Sequence, residues 1–376
     1  VGDYAAELGA IHAESGSRGV IAFLPGFGWT TGLIQRPHHL ARELARLGYL
    51  VLFMDYVERG APTGFLRIED RLYVAVLPSG VQRAVYETLP HISVLTATYQ
   101  YPNVATLRDP LIIYDVLDHL DVFTSLHPLS HLRRWHADLL ERAGVVLCTS
   151  DVLLDATRAV RSDAILCPNA VDAAHFAQTP PPPDAMRPIL AMGKPIIGYY
   201  GTLAHWVDYA LIRQSAAAYP DWSFVVIGPD ADGSFAASAL HERHNVHWID
   251  AVPYADLPAY LAYFDVATIP FVVNDLTAAV SPVKLFEYMA GGRPIVSSAL
   301  PECRKYPVVA VAESADEYNH LLARALMLRR DPAHTAGLAA TAGANTWAAR
   351  AAQIAQALDQ RIVASGRTAN VHRSGA

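Results

Sequence analysis

The chain has 376 residues, 52% of them apolar and 17% charged, with a net charge of −7. That length and apolar content suffice for two ordinary domains with cores of their own and exclude a disordered chain. An acidic balance with Lys194, Lys284 and Lys305 as the whole lysine complement leaves no basic stripe, so nucleic acid is excluded as a partner.

No apolar run approaches the roughly 18 to 20 residues of a membrane span, and the opening VGDYAAELGA lacks the basic and apolar regions of a secretory signal. The expectation is a cytoplasmic chain. Cys148, Cys167 and Cys303 are odd in number and widely spaced, which gives neither a disulfide framework nor a zinc pattern and predicts buried thiols.

Short apolar, β-branched runs at 20–24, 50–55, 72–77, 92–96, 111–114, 145–149 and 164–167 predict seven strands. Helical segments between them include 37–47, with Leu40, Leu44 and Leu47 at helical spacing, and 151–160 behind an Asp cap. That alternation predicts a parallel α/β domain. The stretch QTPPPPDAMRP then places four consecutive prolines where they supply no N–H donor and stiffen the chain. It predicts a first domain over 1–178, a linker over 179–188 and a second domain over 189–345.

The second half restarts the rhythm with strands at 195–201, 223–227, 246–249, 266–269, 294–298 and 308–312. Both halves are predicted to be doubly wound, Rossmann-like sheets. A polar-faced helix over 346–362 is predicted to cross back to the first domain, and residues 363–376 to be disordered. In open α/β sheets ligands bind beyond the carboxyl ends of the strands, and facing sheets would bring the loops found there into one cleft.

Four loops carry chemistry. GFGWTTG (26–32) approaches a dinucleotide fingerprint, with Asp55 ending the second strand, but Thr31 stands where that fingerprint needs Gly; a loop packed for shape and a phosphate- or sugar-facing loop remain the alternatives. YDVLDHLD places Asp115, Asp118, His119 and Asp121 after the fifth strand. There an exposed acidic loop competes with a carboxylate and imidazole that bind sugar hydroxyls or manage a proton, and the spacing makes no metal site. GTLAHWVD opens the second domain.

The fourth loop, SPVKLFEYMAGGRPIVSS, reads as a helix capped by Ser281, with Pro282 first and Gly291-Gly292 as its stop. Lys284 then falls at the third helical position, where the helix dipole makes a cation unfavourable by roughly 0.3 to 1 kcal/mol unless an anion docks on the free N–H groups. A solvated lysine is the alternative. Glu287 lies one turn on, on the same face.

Taken together, IQRPHHLARELARLGYLVLFMDY, YDVLDHLDVF, VVLCTSDVLL, CPNAVDAAHF, YYGTLAHWVD, SPVKLFEYMAGGRPIVSS and NTWAARAAQI resemble GT-B glycosyltransferases, nearest the bacterial polysaccharide and teichuronic-acid type related to glycosyltransferase family 4. The resemblance implies two Rossmann-like domains facing across a cleft, with a nucleoside diphosphate sugar bound mainly by the second and a glycan or lipid-linked acceptor by the first. Glu287 matches the distal glutamate of the family's E-x7-E pattern, which binds the donor ribose. The proximal glutamate would fall at Ala279, and the Arg and Lys common after the first strand of the second domain are missing, leaving Thr202, His205 and Asp208.

Donor binding is therefore expected from Gly28, Gly201, Thr202, Ser281, Pro282, Val283, Lys284 and Glu287, with Asp118, His119 and Lys284 at the chemistry. The implied reaction is sugar transfer with retention, without a metal or a resident cofactor. A GT-B-like epimerase or phosphorylase and a catalytically inactive nucleotide-sugar-binding partner are the alternatives. HLRRWH (131–136) is a candidate for weak peripheral contact with anionic lipid at the inner face of the membrane, against a solvated helix face.

Overall fold

The computed structural model describes residues 3–30, 34–56, 63–77, 79–89, 92–107 and 109–364. They form two units, one made of Val1–Pro168 with Trp347–Ala376, the other of Asn169–Thr346. Among the described residues no helix is long and apolar enough to cross a membrane.

The first unit contains β1 (Val20–Phe23), β2 (Leu50–Tyr56), β3 (Gly64–Glu69), β4 (Leu72–Leu77), β5 (Ser93–Thr96), β6 (Leu111–Val116), β7 (Val145–Cys148) and β8 (Ile165–Leu166). They form one sheet in the order β3-β4-β2-β1-β5-β6-β7-β8. Every residue of β1, β5, β6 and β7 is buried, as strands covered by helices on both faces require. The edge strand β3 pairs antiparallel with β4 and exposes Leu66, Arg67 and Ile68. Its mixed FLRIE sequence carries no continuous apolar run, which is why the seven-strand expectation omits it. The strand order reverses at β1, so the loops after β1 and β5 flank the switch point.

The helix predicted over 37–47 is Arg36–Arg46. The one predicted behind an Asp cap is Asp151–Arg158, and its cap is Ser150, whose hydroxyl accepts the Leu153 N–H. The last helix, Trp347–Ala364, belongs to this unit: Arg350 donates to the Pro168 carbonyl at 3.0 Å and Gln353 to the Leu166 carbonyl at 2.8 Å. Residues 365–376, most of the tail expected to be disordered, lie outside the described residues.

The second unit contains β9 (Ile196–Tyr200), β10 (Ser223–Ile227), β11 (Val246–Ile249), β12 (Val266–Ile269), β13 (Ile295–Ser298) and β14 (Val309–Ala312), all parallel, in the order β11-β10-β9-β12-β13-β14. The order reverses at β9, which puts the loops after β9 and β12 at this unit's switch point. Two doubly wound α/β sheets are thus present, as expected.

The division between the units falls at Pro168–Asn169, ahead of the proline run. The prolines lie within the second unit. They lack N–H donors but keep their carbonyls, and Pro180 accepts the Tyr263 hydroxyl at 2.9 Å.

Candidate functional site

In the second unit Lys284 is the second residue of the helix Val283–Ala290, whose N-cap is Pro282. Ser281, expected to cap this helix, does not: its hydroxyl accepts the Asn169 N–H at 3.1 Å, and its carbonyl accepts the Asn169 side-chain amide at 2.7 Å. The first-turn N–H groups of Val283 and Lys284 therefore have no intrahelical acceptor.

The half-buried Lys284 ammonium sits 5.4 Å from the centre of the Tyr199 ring and 5.0 Å from that of Phe271, and makes no ion pair among the described residues. Burial lowers it to about 8, against a smaller upward pull from Glu287.

Gly201 brings the end of β9 against this lysine. Its φ is +139°, and a methyl group on it would stand 2.9 Å from Lys284 Cε and 3.1 Å from Nζ. Gly228, at the end of β10 with φ +143°, abuts the Gly201 carbonyl so tightly that a methyl there would lie 2.1 Å from the oxygen. Both positions need glycine. The turn continues to Thr202, whose carbonyl accepts the Tyr199 hydroxyl at 3.3 Å. Gly201, Thr202 and Lys284 are brought together, and Tyr199 and Phe271 complete the surround.

Glu287 is 5% exposed, and its Oε2 accepts the Tyr200 hydroxyl at 2.8 Å. Burial pushes this carboxyl up to about 7, while the Tyr200 hydrogen bond and Lys284 pull it down. Tyr200 is itself fixed through its N–H, which donates to the Tyr288 hydroxyl at 3.1 Å. One carboxylate oxygen is thus committed to the protein. Ala279, where the resemblance places a glutamate, is fully buried at the C-terminal end of the helix Asp275–Ala278.

In the first unit the loop after β1 is clamped from two sides. Asp55 accepts the N–H groups of Trp29 and Tyr56, each at 2.7 Å, so its carboxylate is occupied by backbone where a dinucleotide fingerprint would direct it at a ribose. Gly28 presents its carbonyl to His38 Nε2 at 3.0 Å, while His38 Nδ1 accepts the Gln35 N–H at 3.1 Å; that acceptance places the imidazole proton on Nε2. Thr31 and Gly32 of this loop lie outside the described residues.

Asp118 and His119 follow β6. Burial, reinforced by Asp115, pushes the Asp118 carboxyl up to about 7. His119 is half-exposed and caps the short turn Leu120–Phe123, its Nδ1 accepting the Asp121 N–H at 3.4 Å. Beneath them, Arg36 Nε and Nη2 donate to the two oxygens of Asp115 at 2.8 and 3.0 Å, and Nη1 donates to the Pro168 carbonyl at 3.0 Å. Asp115 is therefore a structural partner of a buried arginine, although the sequence places it in the same acidic loop as Asp118. A cavity of about 30 Å³ is lined by Phe27, Tyr99, Asp115 and Leu117 among others, so the residues just before Gly28 and Asp118 meet at one place.

Tyr199, Tyr200, Phe271 and Asn169 escaped the sequence reading. IIGYYG shows only a buried strand, and Phe271 and Asn169 lie in segments whose contacts with Lys284 and Ser281 depend on the sheet order. Among the described residues no group of three or more His, Cys, Asp or Glu side chains is placed to hold a metal ion.

Residues 194–326 match the family described as glycosyl transferases group 1. The chain is 28% identical over 240 residues to the putative teichuronic acid biosynthesis glycosyltransferase TuaH of Bacillus subtilis (strain 168), a match spanning 60% of this chain and 58% of that protein. Sucrose-phosphate synthase (tll1590) from Thermosynechococcus elongatus superposes with a TM-score of 0.69 at 16% identity, covering 92% of this chain and all of that one. Anabaena Alr3699/HepE, solved in complex with UDP and glucose, gives 0.67 at 15% identity, covering 91% and 99%. The resemblance to GT-B glycosyltransferases read from the sequence is borne out, with residues 194–326 matching the group 1 family.

Proposed function

We propose that the protein transfers a sugar from a nucleoside diphosphate sugar to a hydroxyl of a glycan or lipid-linked acceptor in the synthesis of a bacterial cell-surface polysaccharide, with retention and without a metal. The observation that carries this reading is Lys284: a cation lowered by burial, walled by two aromatic rings, without a carboxylate partner among the described residues and set beside free first-turn N–H groups. An anion placed there supplies the missing counter-charge and accepts the N–H groups at once.

The charge that grows on the departing diphosphate meets Lys284, the N–H groups of Val283 and Lys284, and the Gly201-Thr202 turn, all fixed before the reaction begins. Glu287 keeps one oxygen on Tyr200 and offers the other to the donor ribose. Asp118 and His119 serve the acceptor hydroxyl or the reacting sugar, Asp118 being poised near neutrality to exchange a proton. The HepE structure, with UDP and glucose, and the bacterial TuaH match favour a uridine nucleotide as the first donor to try and a polysaccharide as the product.

The test is to incubate the protein with UDP-, GDP-, ADP- and TDP-sugars and candidate glycan or lipid-linked acceptors, with and without chelator. Released nucleoside diphosphate and the anomeric configuration of the product are read by NMR. Transfer or slow donor hydrolysis that survives chelator and retains configuration agrees with the proposal. Inversion overturns the stereochemical part, and inertness towards every donor favours a binding partner over an enzyme.

A further inference from the structure

The loops after β1, β5 and β6 enclose the cavity of about 30 Å³ at the carboxyl end of the first unit's sheet. One water-sized group takes up about 10 to 15 Å³ of such space, so there is room for about two. The floor is apolar: Phe23, Phe53, Leu95 and Ala97 line it and are buried. Phe27, Tyr99 and Leu117 keep part of their surface exposed and form the rim.

Two further polar side chains line the cavity, and the protein already employs both. Asp115 gives its two oxygens to Arg36. Gln100 donates through Nε2 to the Leu24 and Pro25 carbonyls at 2.7 and 3.3 Å, and its Oε1 accepts the Ala97 N–H at 2.7 Å. A water molecule here would need about two to four hydrogen-bonding partners and meets groups that are committed elsewhere. The space therefore favours an apolar occupant.

Tyr99 differs from these two. Its hydroxyl makes no hydrogen bond among the described residues, and a methyl on Gly26 would stand 2.7 Å from it, so it lies against the loop after β1 next to Phe27. Burial, with Asp115 and Asp118 nearby, pushes this hydroxyl up to about 12, which leaves it a donor at neutral pH. The residue is held in place from both ends: its ring packs 5.1 Å from that of Phe123, and its carbonyl accepts His127 Nε2 at 3.1 Å.

We propose that this cavity receives the acetyl methyl of an acetamido sugar on the acceptor, with the Tyr99 hydroxyl donating to the acetamide carbonyl oxygen. This rests on the acceptor reading above and narrows it to a substrate class. An acetamido group sets a methyl beside a carbonyl oxygen, which matches an apolar hole with a hydroxyl donor at its rim. A sugar hydroxyl in the same hole would lose its water and gain no partner. A 6-deoxy sugar would fill the hole and leave the Tyr99 hydroxyl unanswered.

The experiment titrates the whole protein with the methyl glycosides of N-acetylglucosamine, N-acetylgalactosamine, glucose, galactose and rhamnose, and reads binding by saturation-transfer NMR; melting curves with UDP and GDP accompany every variant. The expected result is that an acetamido sugar binds about tenfold or more tightly than its matching hexose, with the strongest saturation on the acetyl methyl. Ala97→Val fills the floor and is expected to abolish that preference while the ligand-free melting temperature and the nucleotide-induced shift stay as in the parent. Leu117→Phe narrows the rim and is expected to do the same, which keeps the test open if the first variant fails to fold. Tyr99→Phe is expected to weaken the acetamido sugars about fivefold and to leave the hexoses unchanged. Equal binding of acetamido sugars and hexoses, a preference for rhamnose, or a preference that survives in the folded cavity variants overturns the inference, and a parent-like nucleotide shift then leaves the donor reading standing. Binding of none of the sugars overturns it too; if neither nucleotide shifts the melting curve of the parent, the transferase reading falls with it.

Discussion

The half-buried Asp118 and the buried Glu287 carboxyl groups make the ligand-free protein sensitive to pH. Asp118 and Glu287 are each pushed up to about 7 by burial, whereas in the unfolded chain they titrate at roughly 4. Between those values the folded state holds protons that the unfolded state has released. Their contribution to stability is therefore fullest below about pH 4 and declines as pH rises through 7. Thermal midpoints measured from pH 5 to 8 are expected to fall less steeply in Asp118→Asn and in Glu287→Gln than in the parent; parallel curves would mean that both carboxyls are solvated. The two also separate in kinetics. Glu287→Ala is expected to cost about 1 to 2 kcal/mol in nucleoside diphosphate affinity, whereas Asp118→Asn and His119→Ala lower turnover far more than donor affinity. Calorimetry beside a donor-hydrolysis assay checks both. The helix that carries Lys284 and Glu287 was legible in the sequence because proline and glycine punctuate it so clearly. The direction of the lysine was hidden, since it depends on Tyr199 and Phe271, 85 and 13 residues away along the chain.

At the scale of elements, the turn at Gly201 is built by close backbone approach. Gly228→Ala places a methyl 2.1 Å from the Gly201 carbonyl at a φ of +143°, so the two loops must separate. The expected cost is about 1 to 3 kcal/mol in stability together with weaker diphosphate binding, because Gly201 shifts away from Lys284. Melting curves with and without UDP report both. A variant with parent-like stability and ligand shift would show that the contact does not set the turn. The Val283–Ala290 helix was legible to within two residues, and only its cap was misassigned: a serine before a proline looks like a cap unless its hydroxyl is already taken, as Asn169 takes it here. The edge strand β3 was illegible for the opposite reason, since half of its residues face water.

Across the whole molecule, the two sheets were readable because strands covered on both faces must be apolar throughout, and that requirement leaves continuous runs in the sequence. The point of division was not readable. A proline run looks like a spacer from its missing donors, but its carbonyls bind the second unit, while the crossing itself at Pro168–Asn169 has no compositional mark. Arg36 ties three segments of the first unit by reaching Asp115 and the Pro168 carbonyl from the helix Arg36–Arg46. Arg36→Ala strands a buried carboxylate and is expected to lower stability by about 3 to 5 kcal/mol in denaturant titration. A loss below about 1 kcal/mol would show that water reaches Asp115.

The central claim is that the Lys284 ammonium faces a diphosphate. The measurement is a pair of melting curves for the parent and for Lys284→Ala, each with and without saturating nucleoside diphosphate. For the parent, ligand at about 100 times its dissociation constant adds roughly 2.7 kcal/mol. The account predicts that Lys284→Ala is as stable as the parent or slightly more so without ligand, because a partly desolvated first-turn cation is gone, and that most of the ligand-induced shift disappears. A shift as large in the variant as in the parent would contradict it.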